Sequence, residues 1–187
     1  LEAHDIVCKI GEVVVVGGVR RSALISLSSI QDDRIRKAKM GQWWQNNPQR
    51  ALSNNSACYT RTPDIGLFMH EWKALYDSKS GERGIFNREA AVNKVKENGR
   101  RDPEHDFGTN PCSEIILRPY QFCNLTEVVI RATDDEKSLK KKVRLATQLG
   151  TYQSTLTDIK YLRKIWRDNT EEERLLGVSL TGIMDNE

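Results

Sequence analysis

The pattern of apolar and polar positions predicts several helices along the chain. Apolar residues recur at helical spacing between Ile65 and Tyr76, and again in the long segment that Asp134 and Asp135 open. Acidic residues stand at the start of these segments, where they favour a helix N-terminus. The predicted helices are Asp5 to Val15, Asp32 to Lys39, Ile65 to Tyr76, Arg88 to Glu97, a long helix after Asp135, and Thr170 to Leu175.

Strand signals separate the predicted helices. Ala23 to Ser28 alternates apolar and small polar residues, and the apolar run from Leu176 to Met184 also suits a strand. Gly41 to Pro48 is predicted to be a loop, and its Trp43 and Trp44 are more readily explained as core anchors than as base-stacking groups. No internal repeat, low-complexity linker or domain boundary interrupts the pattern, so the sequence predicts one α/β domain over residues 1–187.

The composition narrows the functional classes. With 38% hydrophobic and 29% charged residues, the composition is typical of a globular protein. A formal net charge of +3 is too small to indicate electrostatic binding of nucleic acid. The longest apolar run, Val13 to Val16, is too short to span a membrane, and no charged leader precedes it, which predicts a cytoplasmic protein. The four cysteines form no Cys-x-x-Cys pair, so no metal site is expected, and Cys8 and Cys58 are interpreted as core residues.

Three reactive or polar side chains alternate in the second half of the chain. Asn110, Cys112 and Glu114 are separated by Pro111 and Ser113. Proline biases the residue before it towards an extended conformation, so Asn-Pro-Cys predicts a tight loop that presents Cys112. If the chain beyond Cys112 is extended, alternation puts Cys112 and Glu114 on one face. The amide, the thiol and the carboxylate could then address the same small polar substrate.

These residues resemble a known family. Gly108 to Ile116 (GTNPCSEII), followed by Phe122 to Glu127 (FCNLTE), is similar to the finger loop of ribonucleotide reductases, above all the adenosylcobalamin-dependent ribonucleoside-triphosphate reductases. Val16 to Ala23 (VGGVRRSA) resembles that family's substrate-specificity loop. Gly150 to Asp158 and Glu171 to Asp185 resemble the part that follows the finger loop. The segments occur in the family's order along nearly the whole chain.

The resemblance implies a fold and an activity. The chain would be an internal fragment of a single ten-stranded α/β barrel, at whose centre the finger loop holds a radical cysteine. The whole enzyme would convert ribonucleoside triphosphates to 2′-deoxyribonucleotides for DNA synthesis, whereas this fragment alone is expected to be inactive. The chain opens at Leu1 without an initiator methionine, which also favours a fragment.

The resemblance also implies roles for four residues. Cys112 would become a thiyl radical that removes the hydrogen atom from the 3′ carbon of the ribose. Glu114 would be the general base for the 3′ hydroxyl, and Asn110 would hold the ribose hydroxyls and that carboxylate. Cys123 would be one of two redox cysteines, with its partner outside these residues. Ser113 departs from the family pattern, in which many relatives have glycine.

Cofactor and partners follow from the same resemblance. Adenosylcobalamin would supply the radical, and a thioredoxin-like protein would re-reduce the redox pair. A deoxynucleotide effector would act on substrate choice through the specificity loop. The residues of that loop are Gly17, Gly18, Val19, Arg20 and Arg21. Neither nucleic acid nor a membrane is an expected direct partner, and no residue is assigned to binding the cofactor.

Two other functions are compatible with the sequence. The chain could come from the large subunit of a ribonucleoside-diphosphate reductase, whose radical arises in a separate metal-containing subunit. The short step from Cys112 to Cys123 favours the cobalamin class instead. A non-catalytic nucleotide-binding module could use the basic helices together with Trp43 and Trp44, but it would give Cys112 no role.

Overall fold

The computed structural model describes residues 1–15 and 22–186. It divides into two compact units, Leu1–Arg118 and Pro119–Glu187, and each unit combines helices with a small parallel sheet. The predicted α/β class is confirmed, whereas the described strands form sheets of three, two and two strands, and the ten-stranded barrel stays a prediction. Along the described residues, no helix has both the length and the apolar character that a membrane crossing requires.

A parallel sheet with flanking helices forms the first unit. The elements in chain order are α1 (Glu2–Val15), β1 (Leu24–Ser29), α2 (Asp33–Arg36), α3 (Trp43–Asn46), a 3₁₀ turn (Pro48–Leu52), β2 (Ser53–Tyr59), α4 (Ile65–Ser78), β3 (Gly84–Asn87) and α5 (Arg88–Asn98). The strands pair in the order β1, β2, β3, and Leu24 lies opposite Ser53. An antiparallel hairpin of β4 (Gly108–Thr109) and β5 (Ile116–Leu117) completes the unit.

Two parallel strands joined by a helical crossover form the second unit. The elements are β6 (Cys123–Val129), α6 (Glu136–Gln153), α7 (Lys164–Glu173), β7 (Leu175–Thr181) and a 3₁₀ turn (Ile183–Asp185). Parallel neighbours need a long connection, which α6 and α7 provide between β6 and β7. A β-carbon at Gly150 would overlap the side chain of Leu176. Glycine therefore lets α6 approach β7 closely at this point.

Side-chain caps set the helix starts that the sequence predicted. Asp64 accepts hydrogen bonds from the N–H groups of Gly66 and Leu67, so α4 begins directly after it. Asp135 and Ser138 form a reciprocal capping box at the start of α6. Both starts are confirmed, because each depends on residues only two or three positions apart.

The predicted helix from Asp32 to Lys39 is wrong in its length. Asp32 caps a single turn, α2, by accepting hydrogen bonds from two backbone N–H groups. Beyond that turn the Lys39 side chain is buried and donates a hydrogen bond of 2.9 Å to the carboxylate of Glu82. Lys39, predicted to end a charged helix, instead lies outside α2 and forms a partly buried ion pair with Glu82.

The last helix also differs from its prediction. α7 ends at Glu173, because Arg174 adopts a left-handed conformation with φ of 44°. Leu175, which was predicted to be helical, instead begins β7 and pairs with Cys123. The sheet pairing between distant strands therefore overrides the local helical pattern.

A buried carboxylate replaces part of the predicted apolar face of α4. Glu71 is 2% exposed and accepts hydrogen bonds of 2.7 Å from the Nε atoms of both Arg36 and Arg83, which are themselves buried. Burial raises the pKa of Glu71, but the hydrogen bonds from Arg83 and Arg36 outweigh it, so the pKa lies below its ordinary value. Trp72, one of the apolar residues at helical spacing in this segment, is 53% exposed. The core of this unit is thus partly ionic.

Candidate active site

A tight loop at the tip of the β4–β5 hairpin presents Cys112. The backbone N–H of Ile115 donates to the side-chain oxygen of Asn110 over 3.1 Å, and the Thr109 hydroxyl donates to the Ile115 carbonyl over 2.9 Å. The N–H of Ser113 donates to the Asn110 carbonyl over 2.9 Å. Asn110 therefore closes the loop with both its backbone and its side chain. The predicted tight loop is confirmed.

The chain does not continue in an extended conformation beyond Cys112. Ser113 has a φ of 68°, in the left-handed region that glycine adopts without strain. The expected strand-like alternation of Cys112 and Glu114 is therefore wrong, because the hydrogen bond from Ser113 to Asn110 bends the chain at this residue. The two side chains are presented by a turn and not by one face of a strand.

Exposure and hydrogen bonding differ among the three candidate residues. Cys112 and Glu114 are exposed, and within the described part of the chain neither side chain makes a hydrogen bond or an ion pair. Asn110 is partly buried, and its side-chain oxygen is committed to the Ile115 N–H. Its NH₂ group can still donate a hydrogen bond to a substrate oxygen or to a carboxylate. One short turn thus carries a thiol, a carboxylate and an amide donor.

The stem of the hairpin is anchored by residues that sequence reasoning missed. Phe107 is fully buried below the hairpin, and the guanidinium carbon of Arg101 lies 4.9 Å from the centre of its ring. Arg88 donates to the Phe107 carbonyl over 2.6 Å, and Arg101 donates to the Ile116 carbonyl over 2.9 Å. The two hydrogen bonds join residues 19 and 15 positions apart, so no local pattern indicated them.

One further contact joins the tip itself to the parallel sheet. The side-chain amide of Asn54, in β2, donates to the carbonyl of Pro111 over 2.7 Å. Asn54 was not identified from the sequence, because it lies far from the hairpin along the chain and has an ordinary polar neighbourhood. Pro111 directly precedes Cys112, so this hydrogen bond acts next to the candidate thiol.

The remaining cysteines lie in different surroundings. Cys123 is half-buried and opens β6 in the second unit. Cys8 is 1% exposed, with its sulfur 3.8 Å from both ring nitrogens of His4, and Cys58 is half-buried in β2. Burial raises the pKa of both the Cys8 and the Cys58 thiols, which disfavours the reactive thiolate. These surroundings agree with the interpretation of Cys8 as a core residue.

The specificity-loop prediction cannot be placed on the structure. Its residues Gly17, Gly18, Val19, Arg20 and Arg21 lie outside the described residues.

Trp43 and Trp44, predicted to be core anchors, differ in exposure. Trp43 is half-buried. Trp44 is 56% exposed, so the expected core anchoring is wrong for it, because the short helix α3 turns this side chain towards solvent.

Comparison with known proteins gives a consistent set of relatives. The adenosylcobalamin-dependent ribonucleoside-triphosphate reductase of Lacticaseibacillus paracasei is 36% identical over 190 residues. The enzymes of the same name from Lactobacillus leichmannii and Lactobacillus helveticus are 32% and 31% identical. Each alignment covers 99% of this chain but 24% of the relative. No protein-family model matches, and no solved structure matches. The chain is therefore similar over its whole length to about a quarter of an adenosylcobalamin-dependent ribonucleoside-triphosphate reductase, as its finger loop predicted.

Proposed function

We propose that this chain forms the finger-loop part of the catalytic α/β barrel of a ribonucleotide reductase. That enzyme would reduce ribonucleoside triphosphates to 2′-deoxyribonucleotides for DNA synthesis in the cytoplasm. The observation that supports the proposal best is the hairpin tip, where an exposed thiol stands between an amide donor and a carboxylate. Relatives named as reductases of this class align with the whole chain, which strengthens the same conclusion.

Cys112 would begin the chemistry on the substrate. As a thiyl radical it would take the hydrogen atom from the 3′ carbon, so that the C–H bond breaks and an S–H bond forms. The same hydrogen would return to the 3′ carbon at the end of turnover. An exposed cysteine at a turn suits this role, because no side chain among the described residues forms a hydrogen bond with its sulfur.

Glu114 and Asn110 would prepare the ribose for reduction. Glu114 would accept the proton of the 3′ hydroxyl, and its exposed carboxylate has no competing partner along the described residues. Asn110 would donate from its NH₂ group to a ribose hydroxyl or to Glu114, since its oxygen is used within the loop. The 2′ hydroxyl would then leave as water, taking one of the two protons that the redox thiols supply.

Cys123 would serve the reductive half of the reaction. Together with a second cysteine outside this chain, it would give two electrons and two protons to the substrate and become a disulfide. A thioredoxin-like protein would restore both thiols by exchange. A deoxynucleotide effector would adjust substrate choice through the loop that contains Arg20 and Arg21.

The main clefts among the described residues do not match the cofactor of the relatives in size. Clefts of about 490 and 500 Å³ in the first unit and about 410 Å³ in the second are each smaller than a corrinoid ring with its adenosyl group. We propose that the parent enzyme depends on adenosylcobalamin, which supplies the first radical by homolysis of its cobalt–carbon bond. No residue described here is assigned to holding it.

Turnover by a reductase that contains this segment tests the proposal. The host is the longer protein, or the Lacticaseibacillus paracasei enzyme with its homologous quarter replaced by these residues. Cys112→Ser should abolish deoxynucleotide formation while substrate binding persists, because an O–H bond is too strong for reversible exchange with a carbon-bound hydrogen. Cys58→Ser, the same change away from the hairpin, should stay active. Normal turnover by Cys112→Ser in an active host would refute the proposed function.

A further inference from the structure

The hydrogen bond from Asn54 to Pro111, called the tether below, joins the parallel sheet to the tip of the β4–β5 hairpin. The Asn54 Nδ2 atom lies 2.7 Å from the Pro111 carbonyl oxygen. Asn54 is the second residue of β2 and pairs with Ile25 of β1. The residue that accepts the tether is joined by one peptide bond to Cys112. A shift at this carbonyl would therefore displace the thiol directly.

The part of β2 that carries Asn54 is held in place on both sides. The preceding carbonyl, of Ser53, accepts a hydrogen bond from the buried Lys39 ammonium. The following N–H, of Asn55, donates to the carboxylate of Glu82 over 2.8 Å. Lys39 and Glu82 are also paired with each other, so the backbone on both sides of Asn54 is held by connected hydrogen bonds. A side chain that positions another group needs a backbone that is held in this way.

The other contacts of the hairpin act at different places. Arg88 and Arg101 bind the carbonyls of Phe107 and Ile116, which belong to the stem below the turn. The bonds made by Asn110 close the tip on itself and leave its position relative to the sheet unset. Among the described residues of the first unit, Asn54 makes the only side-chain hydrogen bond from the sheet to the tip.

We propose that Asn54 is a positioning residue that sets where the finger loop holds Cys112. This inference rests on the proposed function only for its catalytic consequence, because the tether itself is a property of the fold. Asn54 is exposed, so its replacement should leave the folded state nearly as stable. The effect should be confined to the tip.

Amide hydrogen exchange in the 187-residue chain tests the tether without any assumption about activity. In Asn54→Ala, the tip amides of Ser113 and Ile115 should exchange roughly threefold to tenfold faster, the effect of losing one ordinary hydrogen bond. Asn54→Asp should loosen the tip further, because a carboxylate repels the Pro111 carbonyl. Asn54→Gln keeps a donor and should restore part of the protection. Unchanged exchange at both tip amides in Asn54→Ala would overturn the inference.

A matched control separates the tether from general effects of substitution. Asn93 is exposed in α5, and within the described part of the chain its side chain makes no hydrogen bond. Asn93→Ala should leave the exchange rates of the Ser113 and Ile115 amides the same as in the unsubstituted chain. Faster exchange of strand amides such as Ala57 in Asn54→Ala would show loss of the sheet, and that outcome would also overturn the tether.

Kinetics in the active host enzyme test the catalytic consequence. Asn54→Ala should lower kcat at least several-fold with little change in KM, and Asn54→Gln should recover part of the loss. Normal kcat in Asn54→Ala, beside an inactive Cys112→Ser enzyme, would overturn the positioning role and leave the proposed function standing. Turnover by Cys112→Ser would instead remove the proposed function, while the exchange result would still decide the tether.

Discussion

At the scale of single residues, the hairpin tip combines one stabilising and one strained position. Asn110 closes the loop through its side-chain oxygen and its carbonyl. Ser113 follows with a positive φ of 68°, which costs a residue with a β-carbon about 1–2 kcal/mol relative to its preferred backbone regions. The family that the chain resembles often has glycine there, which would remove that cost. The loop therefore keeps its shape because Asn110 overrides the preference of Ser113.

The strain at Ser113 leads to a stability prediction. Ser113→Gly should raise the free energy of unfolding by about 0.5–1 kcal/mol, because the gain from relieving the backbone exceeds the added entropy of the unfolded chain. Urea-induced unfolding of the two chains measures the difference. Ser113→Ala keeps a β-carbon and should not be stabilised. A glycine variant less stable than the parent would mean that the Ser113 side chain contributes more than the strain costs.

At the scale of elements, short-range signals proved more informative than charge patterns. Asp64 and Asp135 identified two helix starts, because a capping bond depends on neighbours in sequence. The length of α2 was not predictable, because Lys39 turns inward to Glu82, forty-three positions along the chain. The burial of Glu71 was missed for the same reason, since its partner Arg36 lies thirty-five positions away in α2 and its partner Arg83 lies just before β3.

In the candidate site, too, features set by neighbouring residues could be predicted and features set by distant residues could not. The turn that presents Cys112 could be predicted, because Pro111 restricts its neighbour and Asn110 can close a loop locally. The tether from Asn54 and the anchors from Arg88 and Arg101 could not, because each joins an ordinary polar residue to a distant backbone carbonyl. Local chemistry thus predicted the candidate residues, and only the fold shows which distant groups hold them.

The contact between α1 and the 3₁₀ turn leads to a prediction about pH. Arg50 donates two hydrogen bonds, of 2.7 and 2.6 Å, to the carboxylate of Asp5 and lowers the pKa of Asp5 to about 2. Because the folded pKa lies below the ordinary value of 3.8, the ionised carboxylate stabilises the fold above about pH 4. This contribution should be lost as the pH falls towards 2.

Asp5→Asn checks the assignment. At neutral pH the variant should be less stable by about 1–2 kcal/mol, after allowance for the partial exposure of the pair. Its stability should also fall less steeply than that of the parent chain between about pH 4 and pH 2. Melting temperatures measured across this range compare the two. Parallel pH profiles would contradict the role of the Asp5–Arg50 pair.

At the scale of the whole molecule, the described residues supply parallel strands in two separate units. A barrel closes only when its strands pair around a full circle, so a barrel of ten strands needs more than the strands described here. The relatives are about four times as long as this chain, which leaves room for the other strands, the second redox cysteine and the cofactor site that we propose for the longer enzyme. The barrel therefore remains part of the proposal for the parent enzyme.

Release of tritium from a substrate labelled at the 3′ carbon tests the central claim, that Cys112 initiates the reaction. The measurement compares Cys112→Ser with Cys123→Ser in the active host, supplied with adenosylcobalamin and the labelled ribonucleoside triphosphate. Cys123→Ser should release tritium to water without forming normal deoxynucleotide, because hydrogen abstraction precedes reduction and the thiol exchanges its hydrogen with solvent. Cys112→Ser should release none. Tritium release by Cys112→Ser would contradict the thiyl-radical role of this residue.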